Sequence, residues 1–246
     1  MPPNVFQHGS KSRVFLNNWD VSTYATASSL GEQATKLDTT TMGANSKQSQ
    51  PGTMDDAPLS VSMLYPATGT LPDDLSAMFG STVIATTCPF GATTGANVRM
   101  LMGYGDGKPR PTTRADIMKM DASVMTNGGV RYGKLLQLAT LTSLGAASTP
   151  VDNAVATTSD WTVVIHVFDL QGASPNVQFR VQSSPKSGAV GTGTELWTAF
   201  TNPNITLPGA YMITGTGAVD RFARVVPALS SGSLTSITFA VSFARM

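Results

Sequence analysis

Between Trp161 and Phe243 the chain alternates short β-branched or aromatic runs with clusters of Gly, Asn, Ser and Pro, and that punctuation demands many short strands. Trp161 to Leu170 reads WTVVIHVFDL, Val177 to Val181 reads VQFRV, and Leu234 to Phe243 reads LTSITFAVSF. Between them ELWTAF, GAYMIT and RFARVV form shorter runs ending at Phe200, Thr214 and Val226. Turn signals every 8 to 12 residues or so are the mark of an antiparallel sandwich. An immunoglobulin-like or jelly-roll-like β-sandwich is therefore expected over residues 161–246, with most of Trp161, Phe168, Phe179, Trp197, Phe200, Tyr211, Phe222, Phe239 and Phe243 in its core, because aromatic rings contribute the largest buried areas.

The N-terminal half is also mainly β. Arg13–Leu16, Leu59–Leu64, Thr82–Thr86, Asn97–Tyr104, Arg114–Met125 and Val130–Leu141 carry strand patterns. One helix is expected at Pro72–Phe79. Pro72 suits the first helical position, Asp73 and Asp74 favour the positive end of the helix dipole, and Gly80 suits the C-terminal cap. Leu75, Met78 and Phe79 fall on one face. This predicts a sandwich or barrel domain at 12–145 with one short helix, preceded by an N-terminal arm at 1–11 and followed by a linker at 146–160, where small and polar residues show no apolar period. Val5 and Phe6 are the apolar anchors of the arm and suit it to clamping a neighbouring molecule.

Composition narrows the function. Only 13% of the 246 residues are charged, against roughly a quarter in ordinary domains. The net charge of +1 gives no overall field toward nucleic acid or an anionic membrane. No run approaches the roughly 20 apolar residues that span a bilayer. The single cysteine, Cys88, excludes an intramolecular disulfide framework and reads as a small buried hydrophobe.

No motif points to catalysis. Gly103 to Lys108 (GYGDGK) is followed by Pro109, where a phosphate loop needs Ser or Thr and a helix, so it reads as a turn. Gly191 to Thr194 reads the same way. His8 and His166 are too distant to form a metal pair or catalytic set, and His166, mid-strand, suits a solvent-facing or hydrogen-bonded structural role. No serine stands in a nucleophile elbow. Asp55/Asp56 and Asp73/Asp74 sit at a turn and a helix start, not as an acid and base pair. The chain is expected to be no enzyme, with no cofactor and no metal. Lys108, Arg110 and Arg114, held apart by Pro109 and Pro111, form a basic loop suited to bridging subunits through acidic surfaces or phosphates.

The order of elements in the first half resembles the major tail tube proteins of long-tailed bacteriophages. The matching residues are Leu37-Asp38-Thr39-Thr40-Thr41-Met42-Gly43, then Gln50-Pro51-Gly52 as a Pro-Gly turn, the Ser-alternating strand Leu59-Ser60-Val61-Ser62-Met63, the helix, and the run Ala115 to Val124. The resemblance covers about residues 10 to 145. It departs from the family pattern at Thr53-Met54-Asp55-Asp56-Ala57 and in carrying a further domain of nearly a hundred residues.

The resemblance implies a virion structural protein, made in the host bacterial cytoplasm, whose copies form hexameric rings that stack into a tube conducting DNA without binding it specifically. Its partners would be itself and other phage tail or head proteins, with no membrane. The loop between early strands would reach an adjacent ring, a role falling on Asp38, Thr39, Thr40, Thr41, Asn45, Lys47, Gln48 and Gln50, whose neutral donors and acceptors suit a wet interface. Asp55 and Asp56 would face the lumen. Two alternatives stand beside this one: a head decoration or cement protein of the same fold, and a carbohydrate-binding adhesion module acting through the C-terminal sandwich.

Overall fold

A computed structural model describes residues 11–31, 34–38, 49–54, 58–64, 70–106, 119–156, 158–186 and 197–245. Among the described residues the fold is mainly β with one α-helix. The strands of the first half are β1 (Arg13–Leu16), β2 (Trp19–Asp20), β3 (Ala25–Leu30), β4 (Ala34–Asp38), β5 (Ser49–Met54), β6 (Leu59–Leu64), β7 (Thr82–Cys88), β8 (Asn97–Gly105) and β9 (Lys119–Thr126), with helix α1 (Leu71–Ala77) before β7. The second half adds β10 (Arg131–Leu141), β11 (Val151–Asp152), β12 (Trp161–Gln171), β13 (Asn176–Ser184), β14 (Thr198–Thr201), β15 (Asn204–Ile205), β16 (Gly209–Gly215), β17 (Phe222–Ser231) and β18 (Ser236–Arg245).

Two compact units result, and they do not follow the division expected around 146–160. The first comprises residues 1–23, 84–100 and 131–246, and the second residues 24–83 and 101–130. The reason is long-range pairing. The last strand, β18, lies between β10 and β12, with Leu138 opposite Ala240 and Ile165 opposite Val241. Local patterns carry no trace of such a partner. The expected linker also holds structure: Val151 pairs with Ala223, Ser148 Oγ accepts from the Val225 amide at 3.0 Å, and the Ser148 amide donates to the Val225 carbonyl.

The core of the first unit is a sandwich. Val163, Ile165 and Val167 of β12 and Phe239, Val241 and Phe243 of β18 pack against Val177, Phe179 and Val181 of β13 and Val225 of β17. Phe179 and Phe239 meet edge to face at 5.0 Å between centroids. Period-2 alternation sends Val164, Ala240 and Ala244 to the opposite face, where they join Phe15, Val98, Met100 and Leu135. β12 is thus buried on both faces, which explains why its sequence is a nearly continuous apolar run rather than an alternating one.

Gly133 sits in β10 between Val98 of β8 and Ala244 of β18. A Cβ there would lie 2.2 Å from the Phe243 carbonyl oxygen. Gly133→Ala is expected to force the strands apart and cost about 2 kcal/mol or more, within the range for overpacking. Urea denaturation checks this; an unchanged midpoint would show that the strands separate freely.

In the second unit β6 pairs with β3 on one side and β9 on the other. Leu59, Val61 and Met63 stand opposite Val124, Ala122 and Met120, and all six are buried, so the alternating sequences of the two strands fix the register. Helix α1 buries Leu71, Pro72 and Leu75, and Thr70 Oγ1 donates to Asp74 Oδ2 at 3.0 Å. It stops at Ala77, earlier than expected, and Phe79 is 50% exposed instead of joining the apolar face. Gly103 and Gly105 are strand residues rather than a loop tip. A Cβ on Gly103 would fall 1.9 Å from the Met125 carbonyl oxygen, so the glycine admits the close approach of β9. No helix among the described residues is long and apolar enough to cross a membrane.

Candidate functional site

Strands β4 and β5 form a two-stranded sheet that pairs with no other described strand. Ala34 faces Met54, Lys36 faces Pro51, Leu37 faces Gln50 and Asp38 faces Ser49, with an irregularity between Ala34 and Lys36. Asp38 and Gln50, two of the residues expected at an inter-ring contact, are therefore ladder residues at the end of a ribbon whose connection is residues 39–48. Pro51 lies within β5 and not in the expected Pro-Gly turn. A proline has no amide to donate and is confined to edges and bulges of sheets, a requirement that a ribbon without a third strand meets. Thr39, Thr40, Thr41, Asn45, Lys47 and Gln48 lie outside the described residues, as do Lys108, Arg110 and Arg114 of the basic loop, Val5 and Phe6 of the arm, Asp55 and Asp56, His8 and the 191–194 glycine run.

His166 and Cys88 are both buried in the first unit. The turn Asn17-Asn18 joins β1 to β2, with Leu16 opposite Trp19. Asn17 adopts a positive φ of 48°, tolerated better by asparagine than by most residues, and its Oδ1 accepts from the Ile84 amide at 2.9 Å. That places the Asn17 carbonyl 2.7 Å from Nδ1 of His166. Nδ1–H donates to it, leaving Nε2 to accept from the Thr86 hydroxyl at 2.8 Å. The imidazole is fully buried, between Phe15 at 5.7 Å and the parallel ring of Phe168 at 6.2 Å. Burial holds its pKa down to about 4, against the opposing pull of the Asn17 hydrogen bond and the Asp20 charge. Of the two roles expected for His166, the hydrogen-bonded structural one is observed. Cys88 is buried as expected; burial chiefly, and then Asp20, push its thiol up to about 12, with Arg13 opposing.

A cleft in the first unit, about 430 Å³ in volume, was not legible from the sequence. Its floor is the β8–β10 ladder, where Arg99 stands opposite Tyr132 and Asn97 opposite Lys134. These four side chains share one face because Val98 and Met100, the intervening positions of β8, point into the core. The Arg99 guanidinium lies 5.8 Å from the Tyr132 ring centroid. Phe90, Asn153 and Arg245 complete the walls. Arg245 Nη2 donates to the Asp220 carbonyl at 2.5 Å, while its Nε and Nη1 are buried without a hydrogen-bond partner among the described residues. The sequence signal was present as polar alternation at 97/99 and 132/134, but which strands carry it side by side depends on pairing.

No protein-family model and no curated protein sequence matches the chain. Among solved structures it is similar to the Dit protein (gp 19.1) of phage SPP1, described as a paradigm of hub adsorption apparatus in Gram-positive-infecting phages, at 11% identity and a TM-score of 0.36, with 96% of this chain and 99% of that chain covered. It is also similar to a chain of the phage P2 baseplate in its activated conformation with Ca, at 7% identity and a TM-score of 0.37, covering 96% and 98%. The phage p2 baseplate activated with Sr gives 8% identity and a TM-score of 0.33 over 96% and 98%. These structural neighbours are phage adsorption-apparatus and baseplate proteins.

Proposed function

We propose that this chain is a non-enzymatic structural protein of a phage tail that assembles with copies of itself, and with other tail proteins, in the virion. The observation that carries the assembly reading is the β4–β5 ribbon. A two-stranded sheet by itself is marginally stable in water. Both outer edges of this one lack a partner among the described strands, so a neighbouring subunit is the natural source of the missing contacts. The tail setting comes from the sequence resemblance, which runs through this same ribbon from Leu37 to Gly52. In the tube form of the proposal, subunits close into hexameric rings and the 39–48 connection reaches the next ring.

Negative-stain electron microscopy of the purified full chain at rising concentration tests it. Stacked rings support a tube subunit, and single rings support a ring-forming tail component without stacking. Replacing residues 39–48 by Asn-Gly, which closes a two-residue hairpin, is expected to reduce stacking at least about tenfold in protein concentration while leaving the thermal midpoint within a few degrees. A monomer at every concentration would overturn the proposal.

A further inference from the structure

We infer that the cleft on the β8–β10 ladder is a binding site for an anionic saccharide, one carrying carboxylate or phosphate groups. Among the described residues three cations line it, Arg99, Lys134 and Arg245, and no carboxylate does. Two carboxylates outside the lining, Asp152 and Asp220, act on Arg245 through their charge, and Asp152 also accepts from Arg221 Nε at 2.8 Å and from Nη2 at 2.6 Å, which leaves Arg99 and Lys134 as the cations of the cleft that neither is seen to offset. Arg245 places positive charge in the wall, over the Phe243 ring at 5.6 Å; its Nε and Nη1 are closed to solvent, so an anion in the cleft would meet it as a charge and not as their acceptor. In a chain of net charge +1, this concentration of one sign is local.

Charge alone would suit any acidic ligand; the other groups narrow the class. Phe90 is 59% exposed and Tyr132 55% exposed, although large aromatic rings usually contribute buried area. Ring faces of this kind cover the apolar face of a sugar. Asn97 and Asn153 supply amides that donate and accept, as hydroxyl groups require. The ladder sets the spacing. Neighbours across the strands stand about 5 Å apart and next-but-one residues along a strand about 7 Å apart, so a cation, an aromatic face and an amide all fall within the reach of one or two sugar rings. An acidic peptide would need the cations but would leave the aromatic faces and amides with little to do. The volume lies in the range for small-ligand sites, about 300–1,000 Å³.

Isothermal titration calorimetry of the full chain tests the site with four probes: tetragalacturonate, a mannose-6-phosphate oligosaccharide, neutral cellotetraose and hexaglutamate. Binding of either anionic saccharide is expected, and which one binds distinguishes carboxylate from phosphate recognition. Cellotetraose should bind at least about tenfold more weakly, and Lys134→Gln and Tyr132→Ala should each weaken the preferred saccharide by about tenfold. If neither anionic saccharide bound at millimolar concentration, the inference would fail. Hexaglutamate binding as tightly as the saccharides, with no response to Tyr132→Ala, would make the cleft a peptide dock instead. Ring formation is read separately by microscopy, so failure of one reading leaves the other intact.

Discussion

Replacing Phe239 by alanine is expected to lower the unfolding free energy by about 3–5 kcal/mol, the usual cost of deleting a buried aromatic ring. Phe239 is fully buried and contacts Phe179 edge to face, so its ring joins the two sheets of the first unit's sandwich. It also lies on β18, which pairs with both β10 and β12, so the cavity would open where three strands and the opposing sheet meet. Interiors are packed too densely for such a gap to close by relaxation alone. Against a typical total stability of roughly 5–15 kcal/mol, the loss is a large fraction, equivalent to a fall of about 10 °C in the thermal midpoint. Phe239→Leu, which keeps most of the volume, should cost about 1–2 kcal/mol. Urea or thermal unfolding followed by circular dichroism measures both. Equal effects of the two substitutions would show that the ring is not what holds the sheets together.

The second large effect is a pH dependence set by His166. In the unfolded chain its imidazole titrates near 6.5, whereas burial in the folded protein depresses it to about 4. A depressed histidine pKa means that the unfolded state binds the proton first. Stability contributed by the neutral ring is therefore full above about pH 6.5, falls as pH drops toward 4, and levels off below that value. The loss across this window is about 3 kcal/mol, from the linkage between pKa shift and folding. Asp152, held down to about 2 chiefly by its hydrogen bonds from Arg221 and then the Ala154 amide, works in a lower window: its contribution is present above 3.8 and is lost as pH falls through about 2. The two effects are thus separable. His166→Gln should flatten the stability profile between pH 6.5 and 4.5 while lowering stability at pH 7, because the Asn17 carbonyl and the Thr86 hydroxyl lose well-placed partners. Parallel profiles for the wild type and the variant would assign the acid sensitivity to other groups.

Much of the strand content was readable because side-chain alternation is a local property. Leu59–Leu64 and Arg13–Leu16 form strands at the expected residues, and Trp161–Leu170 falls one residue short of β12. The misses were also local in origin. Ala25–Leu30 is ATASSL, whose small and polar residues carry little periodicity, yet it pairs with β6 throughout. Asp38 to Gln50 reads as a polar loop and Gln50-Pro51-Gly52 as a turn because proline and glycine mark turns more often than strands, whereas an unpaired edge accommodates Pro51. Of the expected contact residues, Asp38 and Gln50 are placed at the ribbon that the proposal uses.

By itself the sequence determined a β-rich chain with one short helix and a buried lone cysteine, because each follows from composition or from patterns only a few residues long. Tertiary structure alone decided that residues 12–23, 84–100 and 131–145 belong with the C-terminal strands, that β12 is covered on both faces, and that Asn97, Arg99, Tyr132 and Lys134 share one cleft. The physical reason is that hydrogen-bonded ladders join residues such as Gly133 and Ala244 across more than a hundred positions, and the choice among possible partners is made by the packing of whole sheets, which no single strand encodes.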